Sequence, residues 1–120
     1  MPYIEFKERR EQLRMGDIAL NAAELNYQIF YYVKYQEKNH TSQDFTNKIK
    51  LCVDQFLGEN PNYQKYNDMT GCLIRCYKEL DRRLNIPYSI LQILKNIMES
   101  YDGEIARYED LKIQQNGDVE

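Results

Sequence analysis

Residues 62–84 read NYQKYNDMTGCLIRCYKELDRRL, and this stretch decides the fold. One face of the corresponding helix carries apolar or aromatic residues at every position except Thr70. Its members are Tyr66, Thr70, Leu73, Tyr77, Leu80 and Leu84. A continuous stripe of this kind predicts a helix that other helices must cover. Arg75, Lys78 and Arg82 follow one another at three and four residues, which predicts a cationic ridge on a different face of the same helix.

Length and composition are those of one ordinary globular domain. The chain has 120 residues, of which 42% are hydrophobic and 29% are charged, so we expect a single helical domain over residues 1–120. The net charge of -3 argues against broad binding to nucleic acids or anionic lipids, because no overall positive field attracts phosphates. No stretch reaches the ~18 apolar residues that cross a bilayer, and the first residues lack the apolar core of a signal peptide. We therefore expect a cytoplasmic protein without a membrane partner.

The chain has three cysteines, Cys52, Cys72 and Cys76. Because the number is odd and secretion is not expected, we predict reduced thiols packed as small core residues instead of disulfides. A zinc site would need all three together with His40, the one histidine, and these residues lie in different segments. We therefore expect no metal site and no cofactor.

Turn and capping signals divide the chain into five or six helices. The predicted spans are about 3–14, 17–36, 41–57, 62–85 and 89–102, followed by a short amphipathic segment. The residues expected to cap or end these helices are Gly16, Asp17, Thr41, Gly58, Asn62, Ser89 and Gly103. The last residues, about 112–120, are polar and are expected to be loosely ordered. The sequence thus predicts an all-α fold, a single-domain bundle with a short polar C-terminal tail.

Two of these helices carry more apolar surface than one contact face needs. The second helix has Leu25 and Ile29 on one line. A second line around the same helix carries Tyr27, Tyr31 and Tyr35, and the fifth helix is almost purely apolar over three turns. A helix that is apolar on two sides is either central in the domain or shared with another subunit. We therefore expect a homo-oligomer joined through the second or the fifth helix.

Several motifs resemble a family of small uncharacterised helical proteins that are common in tailed phages, prophages and bacteria. The matching segments are MPYI at 1–4, AELNY at 23–27, NYQKYNDMTGCL at 62–73, the Arg82 and Arg83 pair, and YEDLKIQQNGDV at 108–119. They cover nearly the whole chain in order, and the last is the most specific. The chain departs from the family pattern at Ala23 and Arg107, where the family has glycine and proline, and the apolar fifth helix looks like an insertion. The resemblance implies a phage or prophage origin and an all-helical fold, and it brings no established activity.

The predicted ligand-binding residues combine tyrosines with cations. The chain has 11 tyrosines and no tryptophan, and a tyrosine can stack on a base while its hydroxyl bonds a ribose or a phosphate. Lysine and arginine can neutralise phosphates, arginine bidentately. The residues predicted to bind a ligand are Tyr27, Tyr31, Tyr66, Arg75, Lys78, Arg82, Arg83 and Tyr108. The plainer alternative is that the tyrosines belong to the core or to an interface and that the cations are simply solvated.

An E-x-x-E pair, Glu8 and Glu11, is the one sign of catalysis. All-helical nucleotide pyrophosphohydrolases hold magnesium with such a pair and with a second acidic pair on another helix. The second pair is missing in the required form, because Glu79 and Asp81 are two residues apart and diverge on a helix. His40 lies in a polar loop without an ordered partner, so no nucleophilic constellation is predicted.

These observations predict a protein that is not an enzyme. The leading hypothesis is a phage or prophage protein in the host cytoplasm that binds and sequesters a host component, with an anionic nucleotide immune signal as the expected ligand. The alternative is a protein–protein inhibitor or adaptor that docks on a host enzyme through the fifth helix or an acidic face. A magnesium-dependent enzyme similar to nucleotide pyrophosphohydrolases is the third hypothesis.

Overall fold

The computed structural model describes residues 4–35, 42–83 and 88–117, and this part of the chain is helical without any strand. The helices are α1 (Lys7–Arg14), α2 (Ala22–Lys34), α3 (Ser42–Leu57), α4 (Tyr63–Arg83), α5 (Tyr88–Ser100) and α6 (Asp102–Asn116). The predicted all-α class is therefore confirmed. Among these helices, none is both long enough and apolar enough to cross a bilayer.

The helix α4 is the centre of the bundle and packs against α2, α3 and α5. Its predicted stripe faces the core, since Leu73 and Leu80 are buried, Tyr66 is 7% exposed and Tyr77 is half-buried. The buried side chains of α2, α3, α4 and α5 form one hydrophobic cluster. The prediction that other helices cover this stripe is confirmed for its described members, whereas Leu84 lies outside the described residues. Removing the apolar surface of the stripe from water stabilises the bundle.

Two glycines and one asparagine act at helix ends as predicted. Gly16 and Gly58 follow α1 and α3 with φ angles of 98° and 74°, which a residue with a Cβ atom rarely adopts. The Asn62 side chain accepts a hydrogen bond from the Lys65 amide at 2.9 Å and caps α4. Thr41, the predicted cap of α3, lies outside the described residues.

The predicted cap of α2 is wrong, because Asn21 performs this role instead of Asp17. The Asn21 Oδ1 atom accepts a hydrogen bond from the Glu24 amide at 2.9 Å, and α2 begins one residue later. The Asp17 carboxylate is held by the Arg9 guanidinium at 2.6 Å and by the Ile18 amide at 2.9 Å. A long-range ion pair therefore replaces the local capping interaction that the sequence favours.

Two predicted boundaries near α5 are also wrong. This helix begins at Tyr88, so Ser89 lies in its first turn, and Gly103 lies inside α6. The break between the two helices falls at Tyr101, whose hydroxyl donates a 2.6 Å hydrogen bond to Asp54 of α3. Tyr101 is 5% exposed, so the burial of its ring and this hydrogen bond fix the position of the turn.

The helix α6 is longer than the predicted amphipathic segment and includes part of the predicted loose tail. It continues to Asn116, where Gly117 ends it with a φ angle of 84°. Ile105 and Tyr108 pack against the edge of the core, although no residue of α6 is buried. Residues 118–120 lie outside the described part of the chain. Every residue in the last two turns of α6 is exposed, although Leu111 and Ile113 are so by only 49% and 43%.

The line of α2 that carries Leu25 and Ile29 and the inner face of α5 are covered within the described chain. The tyrosine line of α2 is covered only in part, because Tyr27 and Tyr31 are half-buried and Tyr35 is 59% exposed. Leu25, Ile29 and Val33 of α2 are at most 1% exposed, and Leu91 and Leu94 of α5 are at most 3% exposed. The position of α2 is thus central in the bundle, which is one of the two alternatives that its pattern allowed. The homo-oligomer stays a prediction, and light scattering during size-exclusion chromatography can test it.

Arg9 joins α1 to the beginning of α2. Its Nε and Nη2 atoms donate to the Glu24 carboxylate at 2.7 and 2.5 Å, and its Nη1 atom donates to Asp17 at 2.6 Å. The Arg9 and Glu24 side chains are only 18% and 12% exposed. The hydrogen bonds from Arg9 hold the pKa of Glu24 and that of Asp17 below their ordinary values.

Replacing Arg9 by methionine is expected to lower the free energy of unfolding at neutral pH by about 2 kcal/mol, because Glu24 loses its charged hydrogen bonds. The pKa of Glu24 is lowered in the folded state, so the contribution of this pair is present above the ordinary value of 4.5 and is lost as the pH falls below it. The difference between the two proteins should therefore shrink in urea titrations as the pH is lowered from neutral towards about 3.

The control is Arg75→Met, at an exposed position that makes no ion pair with another described residue. Its effect on stability should be small and should not depend on pH in this range. A stability difference for Arg9→Met that persists at low pH would contradict the assignment of its origin to Glu24.

Candidate functional site

Tyr27, Tyr31 and Tyr35 lie along one side of α2 with their rings in succession, and we call them the tyrosine ladder. The cation that contacts this ladder comes from α1. The ring centroids of Tyr27 and Tyr31 are 6.4 Å apart, and those of Tyr31 and Tyr35 are 5.0 Å apart. The Arg14 Nε atom donates a 2.7 Å hydrogen bond to the Tyr27 hydroxyl, and the guanidinium lies 5.2 Å from the centroid of the Tyr31 ring. Among the described contacts, this ladder therefore meets Arg14 and not the cationic ridge of α4.

The cationic ridge lies on the exposed surface of α4, where its members take different roles. Arg75, Lys78 and Arg82 are all exposed. The Arg82 Nη2 atom donates to the Glu79 carboxylate at 2.9 Å in an ion pair along the helix. Arg75 and Lys78 line two different pockets. Arg83 is the last residue of α4, and its side chain lies outside the described part of the structure.

A pocket of about 240 Å³ between α4 and α5 contains Lys78, and we call it the α4–α5 pocket. Ile74, Tyr77 and Lys78 line it from α4, and Lys95 and Met98 line it from α5. Residues three and four apart share one face of a helix, so each helix presents its lining residues to the same groove. The pocket therefore combines an apolar and aromatic wall with two ammonium groups.

The lining of the α4–α5 pocket is positively charged. No carboxylate among the described residues contributes to it. In the described part of the chain, neither Lys78 nor Lys95 forms an ion pair or a side-chain hydrogen bond. Both lysines are exposed, so their flexible side chains can turn towards an anion without breaking an existing ion pair.

Arg75 lines a second pocket of about 340 Å³, which lies between α2 and α4. The residues that line it are Ala22, Ala23, Asn26, Asn67, Asp68, Gly71, Cys72 and Arg75. The negative charge of Asp68 offsets the positive charge of Arg75. This pocket therefore lacks the preference for anions that the α4–α5 pocket has.

The three cysteines are free and buried, as predicted. The Cys72 thiol donates to the Ala22 carbonyl at 3.2 Å, and the Cys76 thiol donates to the Asn26 Oδ1 atom at 2.7 Å. Burial raises the pKa of Cys52 and of Cys72 to about 11 and raises that of Cys76 well above its ordinary value. Thiols with such pKa values are poor nucleophiles at neutral pH. Cys72 and Cys76 instead help to join α4 to α2.

The Glu8 and Glu11 pair lies exposed on α1, where Glu11 is 4.0 Å from the Lys7 ammonium. His40, the histidine considered for a zinc site, lies outside the described residues. In the ranges that the structure describes, no group of three or more Cys, His, Asp or Glu side chains could hold a metal ion. The described chain therefore does not complete the four-carboxylate site that the pyrophosphohydrolase hypothesis requires.

Tyr66 and Tyr108 meet in a third pocket, of about 280 Å³, which lies between α4 and α6 and which we call the α4–α6 pocket. Their ring centroids are 5.1 Å apart, and the Tyr66 hydroxyl donates a 2.8 Å hydrogen bond to Glu104. The predicted ligand-binding residues are thus distributed over several places in the described structure. Lys78 is the one predicted residue in the α4–α5 pocket.

The sequence did not identify Lys95 and Met98 of the α4–α5 pocket as ligand-binding residues, and it assigned Tyr77 to the core stripe. Lys95 carried a signal, because it is the one basic residue of α5, a helix that is otherwise largely apolar. Comparisons of the chain with family models, with curated proteins and with solved structures return no match. The geometry of these pockets and the motifs of the sequence are therefore what indicate a function.

Proposed function

We propose that the protein binds a small anionic ligand of the nucleotide type in the α4–α5 pocket and does not chemically change it. The proposal depends on the convergence of Lys78 and Lys95, from two helices, on a pocket whose other lining residues are apolar or aromatic. The ammonium groups can pair with a phosphate, and the Tyr77 ring can stack on a base. The pocket, at about 240 Å³, is smaller than the ~300 Å³ at the lower end of drug-sized sites, so it would hold part of a nucleotide and leave the rest in solvent.

Binding without turnover agrees with the chemistry of the lining. Among the described residues, no carboxylate, histidine or thiol lines the α4–α5 pocket, so this lining offers no general base of those types and no ligand that magnesium prefers. Sequestration of a nucleotide requires affinity for the nucleotide and no catalytic group.

The resemblance to phage and prophage proteins supplies the biological part of the proposal. In that setting the ligand is a nucleotide signal of host immunity, and its capture in the host cytoplasm lowers the concentration of the free signal. This part rests on the sequence motifs at 1–4, 23–27 and 108–119 and is independent of the pocket geometry.

Thermal melting against mono-, di- and cyclic nucleotides tests this proposal. A ligand that binds only the folded state stabilises it by about 2.7 kcal/mol at a hundredfold excess over Kd. We expect at least one nucleotide to raise the melting midpoint both with and without magnesium, and we expect to recover that nucleotide intact after denaturation of the protein. A panel that leaves the midpoint unchanged would contradict the proposal, and a hydrolysed nucleotide would favour the pyrophosphohydrolase hypothesis.

The exposed end of α6 favours a second function, that of a protein–protein inhibitor or adaptor. Leu111 and Ile113 are 49% and 43% exposed, and they lie in a stretch, residues 109–117, that is exposed throughout. Because they are two residues apart, these side chains point to different sides of α6, so they would dock together only in a partner groove that encloses this end of the helix. The adaptor function would be supported if wild-type protein retains one host protein, the Leu111→Glu and Ile113→Glu double variant loses it, and no nucleotide changes the melting midpoint.

A further inference from the structure

The α4–α6 pocket has a lining of opposite charge to that of the α4–α5 pocket. The residues that line it are Tyr63, Tyr66, Asn67, Thr70, Asp102, Ile105, Tyr108 and Glu109. Three of these described residues are tyrosines, two are carboxylates, and none is a lysine or an arginine. Aromatic ring faces and carboxylates both attract positive charge. The electrostatics of this pocket therefore favour a cation.

Tyr66 and Tyr108 form the aromatic wall of the α4–α6 pocket, with their ring planes inclined at 52°. Tyr66 is 7% exposed, and its hydroxyl is held by the Glu104 carboxylate. Burial and this carboxylate raise the pKa of Tyr66 to about 12, so the hydroxyl remains a neutral donor at physiological pH. The hydrogen bond fixes the Tyr66 ring, while Tyr63, which is 65% exposed, lies at the rim of the pocket.

We propose that the α4–α6 pocket binds a small organic cation, an aliphatic polyamine. Asp102 and Glu109 both line this pocket, and a separation of seven residues places them about 10 Å apart along the axis of α6. One ammonium group of a polyamine can pair with each carboxylate. The methylene chain between these groups lies against the Tyr66 and Tyr108 rings. An inorganic cation has no methylene groups that could pack against these rings, so the lining favours an organic cation.

Lys112, which does not line the α4–α6 pocket, makes a cation–π contact with one ring of its aromatic wall. Its ammonium group lies 5.6 Å from the centroid of the Tyr108 ring, one helical turn further along α6. This cation–π contact is of the kind that we propose for the ligand. Because a bound ammonium group and Lys112 would repel each other, removal of the Lys112 charge should strengthen binding.

Calorimetric titration of the full-length protein with spermidine tests the proposal. We expect saturable binding with one site per chain, which Asp102→Asn together with Glu109→Gln weakens about fivefold or more and Tyr108→Leu weakens about threefold or more. We expect Lys112→Gln to lower Kd about twofold. The control double variant, Glu8→Gln with Asp81→Asn, removes the same charge at exposed positions on α1 and at the far end of α4, outside the pocket, and should leave Kd within about twofold of the wild-type value.

Three results would overturn the proposal. The first is the absence of saturable binding to the wild-type protein. The second is equal weakening by the two double variants, which would show a response to net charge alone. The third is unchanged binding by a folded Tyr108→Leu protein, which would assign the cation to the carboxylates without the rings. Because nucleotides are proposed to bind in a different pocket, variants of Lys78 and Lys95 should bind spermidine normally, so either proposal can fail without the other.

Discussion

Reversal of the charge at both Lys78 and Lys95 is expected to weaken nucleotide binding about 100-fold or more. A hydrogen bond to a charged group contributes about 1.5–3 kcal/mol, and each 1.4 kcal/mol corresponds to about a tenfold change in Kd. The loss of two such contacts accounts for a weakening of about 100-fold. The glutamates introduced in place of Lys78 and Lys95 would also repel a phosphate. Isothermal titration calorimetry with the nucleotide that gives the largest melting shift measures the effect.

The matched control is Lys7→Glu together with Lys34→Glu. These substitutions change the net charge by the same amount at exposed positions on α1 and α2, outside the α4–α5 pocket. We expect Kd to stay within about threefold of the wild-type value, since charges beyond about 10 Å are largely screened at physiological salt. Equal weakening by the two double variants would show that the nucleotide responds to overall charge, which contradicts a site at Lys78 and Lys95.

Replacement of Leu80 by alanine is expected to lower the free energy of unfolding by about 3 kcal/mol. Leu80 is 0% exposed and belongs to the central hydrophobic cluster. Truncation of a buried leucine removes apolar contacts and leaves a cavity, which together cost about 2–5 kcal/mol. For a domain of this size we expect Tm to fall by roughly 10 °C. Thermal melting followed by circular dichroism measures this change.

The same substitution at Leu51 is the control for Leu80→Ala. Leu51 lies on α3 and is 57% exposed, so its truncation removes little buried surface. We expect a change in the free energy of unfolding of about 0.5 kcal/mol or less. If Leu51→Ala and Leu80→Ala melted at the same temperature, the apolar stripe of α4 would not be the buried centre of the bundle.

The fold is predictable where its signals are local. The periodic stripe of α4 and the Asn62 cap depend on residues within one helix, and the structure agrees with both. The errors at Asp17 and at the end of α5 have another origin. Arg9 reaches Asp17 across eight positions, and Tyr101 bonds to Asp54 across 47 positions. Such contacts override local capping and helix-breaking preferences, and no spacing in the sequence reveals them.

The candidate site is predictable only in part, for the same reason. The ridge pattern correctly places Lys78 on the surface of α4, and Lys95 stands out as the one cation of an apolar helix. That the two lysines reach one pocket depends on how α4 and α5 are rotated about their axes, which is set by the packing of their buried faces. The same packing brings Arg14, and not the ridge, to Tyr27 and Tyr31.

Nuclear magnetic resonance can locate a bound nucleotide most directly. The measurement is a titration of the ¹⁵N-labelled protein, in which the chemical shift of each backbone amide is followed. We predict saturable shifts concentrated at residues 74–78 and 95–98, the two segments that line the α4–α5 pocket. Shifts concentrated instead at Tyr27 and Tyr31, or no shifts at any nucleotide concentration, would contradict a binding site between α4 and α5.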